Sequence, residues 1–470
     1  MKYLNRITNI YVFIILFIYP LIIGINGYKN ILSIKWNFYV YISITYMVIL
    51  LVLTLILILK KRIDIKDFDF KIYHILALIY IFVLIISTLL SPYYKDYNLF
   101  MGSPRMEGLI VNIIYLLSFI FVSLTYNYKK RIIDVFLIPS IIIGIIIIMQ
   151  YIGFNPFYIY KIGNNNIFYG TIGNIDMIGM LYCMYITCII VKYIFYNINK
   201  ILFIFSFIVS IIVMYIINVE ALYFTLIILF LLILPIVILD SNYLKRYLDI
   251  LLAIVVLSLI NTYNYFVIIF IISIIIILIR LLINKKVYRI INKKNIIISY
   301  ICLSIFIIIL LVIIYFNKFN ISFLNDINNI LHLNFNDKLG NYRIFLWKRS
   351  IKMFDRGILL GTGPDTFYIR FMNDYLDDLM KLGTITINDT ACNIYITMLI
   401  NNGIIGLSIF LIFIYSLLKK FIDNRNYLIF LIIISYLIYN FFSFQTVIIA
   451  PIFFALLALY AKYKKILDFI

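Results

Sequence analysis

Apolar runs of about twenty residues recur from one end of this chain to the other, and nothing else in it restricts the fold so strongly. A helix needs about 20 apolar residues to cross the hydrocarbon of a bilayer, and it is stable there because its backbone N–H and C=O groups bond within the segment. Fourteen stretches qualify, with cores at 7–25, 38–59, 72–90, 109–126, 132–152, 172–196, 201–218, 221–239, 247–261, 264–284, 296–316, 401–418, 427–444 and 446–463. The expectation is an all-α integral membrane protein with about 14 transmembrane helices. Of the 470 residues, 65% are apolar and 13% charged, against about 45–50% and about 25% in soluble domains. That balance excludes a soluble globular enzyme. The 42 Tyr and 40 Phe exclude disordered and collagenous chains, which lack the apolar surface to offset chain entropy.

The net charge of +20 reads as topology. Short cytoplasmic loops collect Lys and Arg, and with both termini placed in the cytoplasm the cytoplasmic segments hold 26 of the 40 basic residues. Nine more fall in one long external loop, Asn317 to Thr390, and five in short external loops. Basic residues dispersed between spans do not make the patch that a nucleic-acid partner requires, so no nucleic acid is expected. Lys2, Arg6 and the run after them resemble a signal peptide, but no small-residue cleavage site follows Ile25, which predicts an uncleaved first span. The expected organisation is a membrane domain over 1–316 with spans 1–11, the external loop over 317–390, and a membrane domain over 391–470 with spans 12–14. Cys183, Cys188 and Cys302 lie in apolar stretches and read as small buried hydrophobes; Cys392 lies near an aqueous loop.

Ionisable residues within spans mark ion or substrate paths, and they are few: Asp176 near the start of the sixth span, Glu220 at an outer end, and Arg280 at an inner end where snorkelling suffices. This lowers the case for a coupled transporter. Chemistry is expected at the outer side. Asn341 to Phe354 reads as an amphipathic helix with Arg343 and Trp347 on one face and Lys348 and Lys352 on another. It would lie along headgroups or bind a phosphate, for which the planar guanidinium is suited. The turn Gly361-Thr-Gly-Pro-Asp-Thr-Phe367 brings backbone N–H groups, and Asp365, close to a ligand or is only a turn. From Asn388 to Gly406 the loop enters the twelfth span, placing Asp389, Cys392 and Asn393 near the surface; Gly403 and Gly406 mark a helix break or close packing. Leu99 to Leu109 carries Arg105 and Glu107, possible partners in a local ion pair. Tyr169 to Asp176 carries Asn174 and Asp176, an N-cap pair or part of a site.

Together these four blocks resemble the O-antigen ligase and polymerase family of bacterial membrane glycosyltransferases. The matching positions are Arg105 and Glu107 between Gly102 and Gly108, and Gly170 to Asn174. They continue with Arg343 and Trp347, then Gly361, Gly363, Pro364 and Phe367, and finally Ala391 to Ile396 with Gly403 to Gly406. The resemblance implies transfer of a glycan from a polyprenyl-diphosphate (undecaprenyl-type) donor to a glycan, lipid or protein acceptor at the outer face of the cytoplasmic membrane. It implies a metal-independent, inverting reaction with no cofactor. Arg343, Arg105, Asp389 and Cys392 fall at catalytic positions, and Glu107, Asn174, Trp347, Gly361, Gly363, Asp365 and Asn393 at substrate-binding ones. Cys392 stands where the family has a loop histidine taken to be the base, and a neutral thiol is a poor substitute for imidazole. Asp389, Asp365 and His332 are the other external candidates. A lipid-linked oligosaccharide flippase, or a scaffold of the same family that has lost catalysis, are the competing expectations.

Overall fold

The computed structural model describes residues 1–462 except 26, 96–97, 128, 130, 157–167, 197–199, 259–272, 281–282, 284–287, 289, 291–292, 317–321, 356, 382–388 and 425–426. Among the described residues the chain is helical, with no strand beyond one isolated Gly24–Gly27 bridge. Among the described residues, eight helices are long and apolar enough to cross a membrane: α1 (Lys2–Leu21), α2 (Ile31–Leu59), α3 (Ile72–Leu89), α5 (Ile132–Tyr151), α6 (Ile175–Phe195), α8 (Glu220–Val237), α10 (Lys293–Phe316) and α14 (Ile394–Asn424). Four apolar helices are shorter: α4 (Leu109–Thr125), α7 (Ile201–Ile217), α15 (Tyr427–Tyr439) and α16 (Ala450–Ala461). The amphipathic α9 (Ser241–Ser258) and the loop helices α11 (Ser322–Leu331), α12 (Arg343–Lys352) and α13 (Phe367–Lys381) complete the set. Of the fourteen expected stretches, 247–261 corresponds to α9, whose first half carries Lys245, Arg246 and Asp249, and 264–284 lies largely outside the described residues.

The shortness of α15 and α16 has a physical cause. Between α15 and α16 the chain leaves helical geometry over 440–449, yet Asn440, Ser443, Phe444, Thr446 and Val447 are buried. Irregular backbone is tolerated at such depth only when protein surrounds it. Here Tyr19 donates its hydroxyl to the Val447 carbonyl, and Asn440 donates to the Tyr436 carbonyl at 2.9 Å.

Helix α6 is the hub, packed by α5, α7, α8, α9 and α15, with 89% of its apolar window buried. Its glycine permits the closest approach: a Cβ on Gly179 would meet the Tyr439 ring at 3.3 Å, and Tyr439 donates to the Asp176 carbonyl at 2.9 Å. Helix α10 is the opposite case. With a mean hydropathy of 3.2 it buries none of its window against protein, which suits a helix solvated by lipid. Cys302 sits on it and is exposed, so of the three cysteines expected inside, only Cys183 and Cys188 are buried.

Two polar residues depart from expectation. Lys35, expected in an external loop, lies within α2 fully buried, its amine 3.3 and 3.4 Å from the Tyr19 and Pro20 carbonyls that end α1. A cation there complements the negative end of the helix dipole. Arg280, expected to snorkel alone, is paired with Asp249.

Candidate functional site

Helix α14 makes the site possible. It starts at Ile394, capped by the buried Asn393, whose side-chain oxygen accepts from the N–H groups of Tyr395 at 2.9 Å and Ile396 at 3.1 Å. After nine residues it breaks at Gly403, with φ 67° and ψ −176°, a conformation essentially confined to glycine. A break strands backbone groups that must find partners. The loop 357–363 supplies them: Ile404 and Ile405 donate to the Ile358 and Leu359 carbonyls at 2.9 and 3.1 Å, while the Asn401 carbonyl accepts from Thr362 at 3.1 Å and Gly363 at 2.8 Å. Gly361 donates to Gly357 at 2.9 Å. The Gly361 and Gly363 N–H groups, expected to face a ligand, therefore have acceptors within the protein. Their glycine identity serves the docking, since a Cβ on Gly361 would collide with the Asn401 backbone. Hydroxyls of Ser87 and Ser91 on the α3 side bind the Leu360 and Thr362 carbonyls, fixing the loop from below.

Where this joint meets the segment before α4 and the segment before α14, a cavity opens, with about 60 Å³ available to water centres. Its polar wall is Arg105, Glu107, Asn112, Asp365, Thr390, Thr397, Asn401, Asn402 and Gln445; Pro364, Ile394, Met398 and Phe444 complete it. Arg105 grips Asp389 side-on, with Nη2 to Oδ1 at 2.8 Å and Nε facing Oδ2, and its guanidinium carbon stands 4.0 Å over the Phe444 ring. Such a two-pronged contact fixes both groups in orientation. The local pair expected between Arg105 and Glu107 is thus replaced by a partner 284 residues away.

Glu107 is buried, and its two oxygens accept from Tyr115 Oη and Gln445 Nε2, each at 2.9 Å. Burial pushes its carboxyl up to about 8, against the lowering effect of those bonds. Asp365 is buried as well, in a left-handed conformation at φ 60°, and its Oδ2 accepts from the Glu107 N–H at 3.3 Å. Burial pushes it up to about 7. Gly102 makes this approach possible, because a Cβ there would meet Asp365 Oδ2 at 2.5 Å.

Arg343 opens α12. Its Nη1 donates to the Gly340 carbonyl at 3.3 Å, and its Nε is buried without an acceptor among the described residues. Its charge and that of Arg105 both reach the Asp176 carboxyl at the start of α6, and Arg343, Asp176 and Asp389 all act on the Cys392 thiol. Burial is the largest influence on that thiol and pushes it up. Trp347 donates from Nε1 to the Ala391 carbonyl at 3.0 Å, tying α12 to the segment that holds Asp389 and Cys392. Asn174 caps α6, its side chain accepting from Met177 N at 3.1 Å. His332 is exposed beside the end of α10, its ring stacked on Tyr315 with centroids 4.1 Å apart, and it does not line the cavity. Of the face expected to carry Lys348 and Lys352, Lys348 pairs with Asp337; the adjacent Arg349 pairs with Asp337 and Asp378.

Sequence reading missed Asn112, Asn401, Asn402 and Gln445. The Asn401-Asn402 pair in an apolar run was a usable signal, since amides at that depth need partners. Asn402 Nδ2 donates to Tyr80 Oη at 3.2 Å, and its Oδ1 is buried without a donor.

A multi-pass helical membrane protein with a charged cavity at one end of the bundle, built around a broken helix, is the class these features define. Residues 250–411 match the family model Wzy_C, O-antigen ligase. The match spans 162 of the 470 residues, so the matched region is similar to the O-antigen ligase family, and the chain is a multi-pass membrane protein. The match takes in Arg343, Trp347, Asp365, Asp389, Cys392 and Gly403, while Arg105, Glu107 and Asn174 lie before it. No curated protein matches the chain.

Proposed function

We propose that the protein transfers a glycan from a polyprenyl-diphosphate donor to an acceptor hydroxyl at the outer face of a bacterial cytoplasmic membrane, by inversion and without a metal. The observation that supports this reading is that Arg105 and Arg343, from distant stretches, both exert their charge on Asp176, with Arg105 lining the cavity. A diphosphate needs concentrated positive charge, and guanidinium groups supply it with directed hydrogen bonds. Arg105 engages Asp389 through Nε and Nη2, which leaves its Nη1 amine for a phosphate oxygen. Arg343 has an unpaired Nε. Both would meet the charge that grows on the leaving diphosphate, the point at which electrostatic assistance lowers a barrier most. Trp347 and Asn393 hold the rim, and the lipid tail of the donor stays in the bilayer. The acceptor is a glycan, a lipid or a protein bearing a hydroxyl.

The test is release of polyprenyl diphosphate from a lipid-linked oligosaccharide in membranes containing the protein. Arg343→Ala should lower turnover by about 100-fold or more, the usual cost of removing one charge-stabilising donor. Equal turnover by parent and variant would remove the assigned role.

A further inference from the structure

The chain has Cys392 where a basic imidazole was expected, so the reaction needs another proton acceptor. The structure narrows the choice. Asp389 has both oxygens engaged by Arg105. Cys392 is held neutral by burial, and His332 stacks on Tyr315 away from the cavity. Glu107 lines the cavity with both oxygens already accepting hydrogen bonds. Asp365 lines it too: its Oδ2 accepts from the Glu107 N–H in the space that Gly102 leaves open, and the Arg105 backbone N–H also bonds its carboxylate. The Gly102–Gly108 segment is therefore a backbone cradle whose N–H groups hold this carboxylate at the cavity wall.

We propose that Asp365 is the base that removes the acceptor proton, an inference that rests on the glycan-transfer reading above. As its carboxylate takes the proton, the acceptor oxygen bonds to the anomeric carbon. The bond from that carbon to the diphosphate oxygen breaks, and its electron pair leaves on the diphosphate facing Arg105 and Arg343. The proton then passes from Asp365 to water. A carboxyl pushed up to about 7 is matched to this task, because a base works best with a pKa near the operating pH. The left-handed backbone at 365 also fits: aspartate and asparagine tolerate it better than most residues.

The experiment uses the full chain in proteoliposomes with a polyprenyl-diphosphate-linked oligosaccharide and acceptor-bearing membranes, and reads polyprenyl diphosphate, the product common to every acceptor. Asp365→Asn keeps the shape and the turn. It should lower kcat by about 100- to 10,000-fold, leave the donor KM nearly unchanged, and abolish the fall in rate below neutral pH. Turnover within tenfold of the parent, with that acid limb intact, overturns the proposal. Infrared spectra give a readout independent of turnover: in a Glu107→Gln background, which removes the other carboxyl raised toward neutrality, a protonated carboxyl band titrates near neutrality with Asp365 present and is missing in Asp365→Asn. Its persistence in the variant also overturns the proposal. If Arg343→Ala and the parent release equal product, the glycan-transfer reading falls and the base assignment with it. If Arg343→Ala is inactive while Asp365→Asn is active, the base assignment alone falls.

Discussion

Replacing Gly403 by alanine strikes the joint on which the cavity is built. At φ 67° and ψ −176° an alanine is strained by about 1–3 kcal/mol. Its Cβ would also collide with the Leu359 carbonyl group, so the loop must withdraw. That puts at risk the bonds from Ile404 and Ile405 to residues 358 and 359, each worth about 0.5–1.5 kcal/mol net. The stiffer unfolded chain returns about 0.4–1 kcal/mol, so a loss of about 1–6 kcal/mol is expected. The assay is equilibrium unfolding in mixed micelles, followed by Trp fluorescence. Ile404→Ala is the control, since that side chain is 46% exposed and its backbone geometry is ordinary helix. A Gly403→Ala variant within about 0.5 kcal/mol of the parent, the usual spread for surface substitutions, would refute the claim that loop and break stabilise each other.

Two further outcomes follow from the site. Glu107 has its carboxyl raised to about 8 by burial, so the folded state binds its proton more tightly than the unfolded one; stability should decline as pH rises from about 4.5 through about 8 and level off above. Glu107→Gln should flatten that decline and exceed the parent in stability at pH 9, and an unchanged slope between pH 5 and 9 in micelle unfolding would contradict the burial argument. Trp347→Phe removes the 3.0 Å bond to the Ala391 carbonyl at a cost of about 0.5–1.5 kcal/mol. Proteolysis near Asp389 should become faster in that variant, whereas equal cleavage rates would show that α12 does not hold the segment.

The helices were largely legible because lipid leaves the chain one option per apolar run, and run length alone then sets the element. Their ends were less legible. Nothing local announced that 440–449 would turn inward, since its cover comes from Tyr19, over four hundred residues earlier. Lys35 was assigned to water because its partners are carbonyls of another helix end. In the site, the blocks that carry Arg105, Asp365 and Asp389 were visible as local patterns, but not the pairing of Arg105 with Asp389 across 284 residues. The Gly361–Gly363 turn illustrates the limit: a glycine-rich turn offers N–H groups, and the sequence does not say whether a ligand or a neighbouring helix takes them. Here Asn401 does.

The splice between the 357–363 loop and α14 also governs how a substrate enters. Ile404 and Ile405 have their acceptors on that loop, so lifting it as a flap would bare two amide protons beside apolar side chains, at about 1–3 kcal/mol for each group left unsatisfied. The loop leading into the cavity wall is in effect riveted to α14. On the glycan-transfer reading proposed above, a long-tailed lipid donor would then arrive sideways between helices, through the bilayer plane instead of from above.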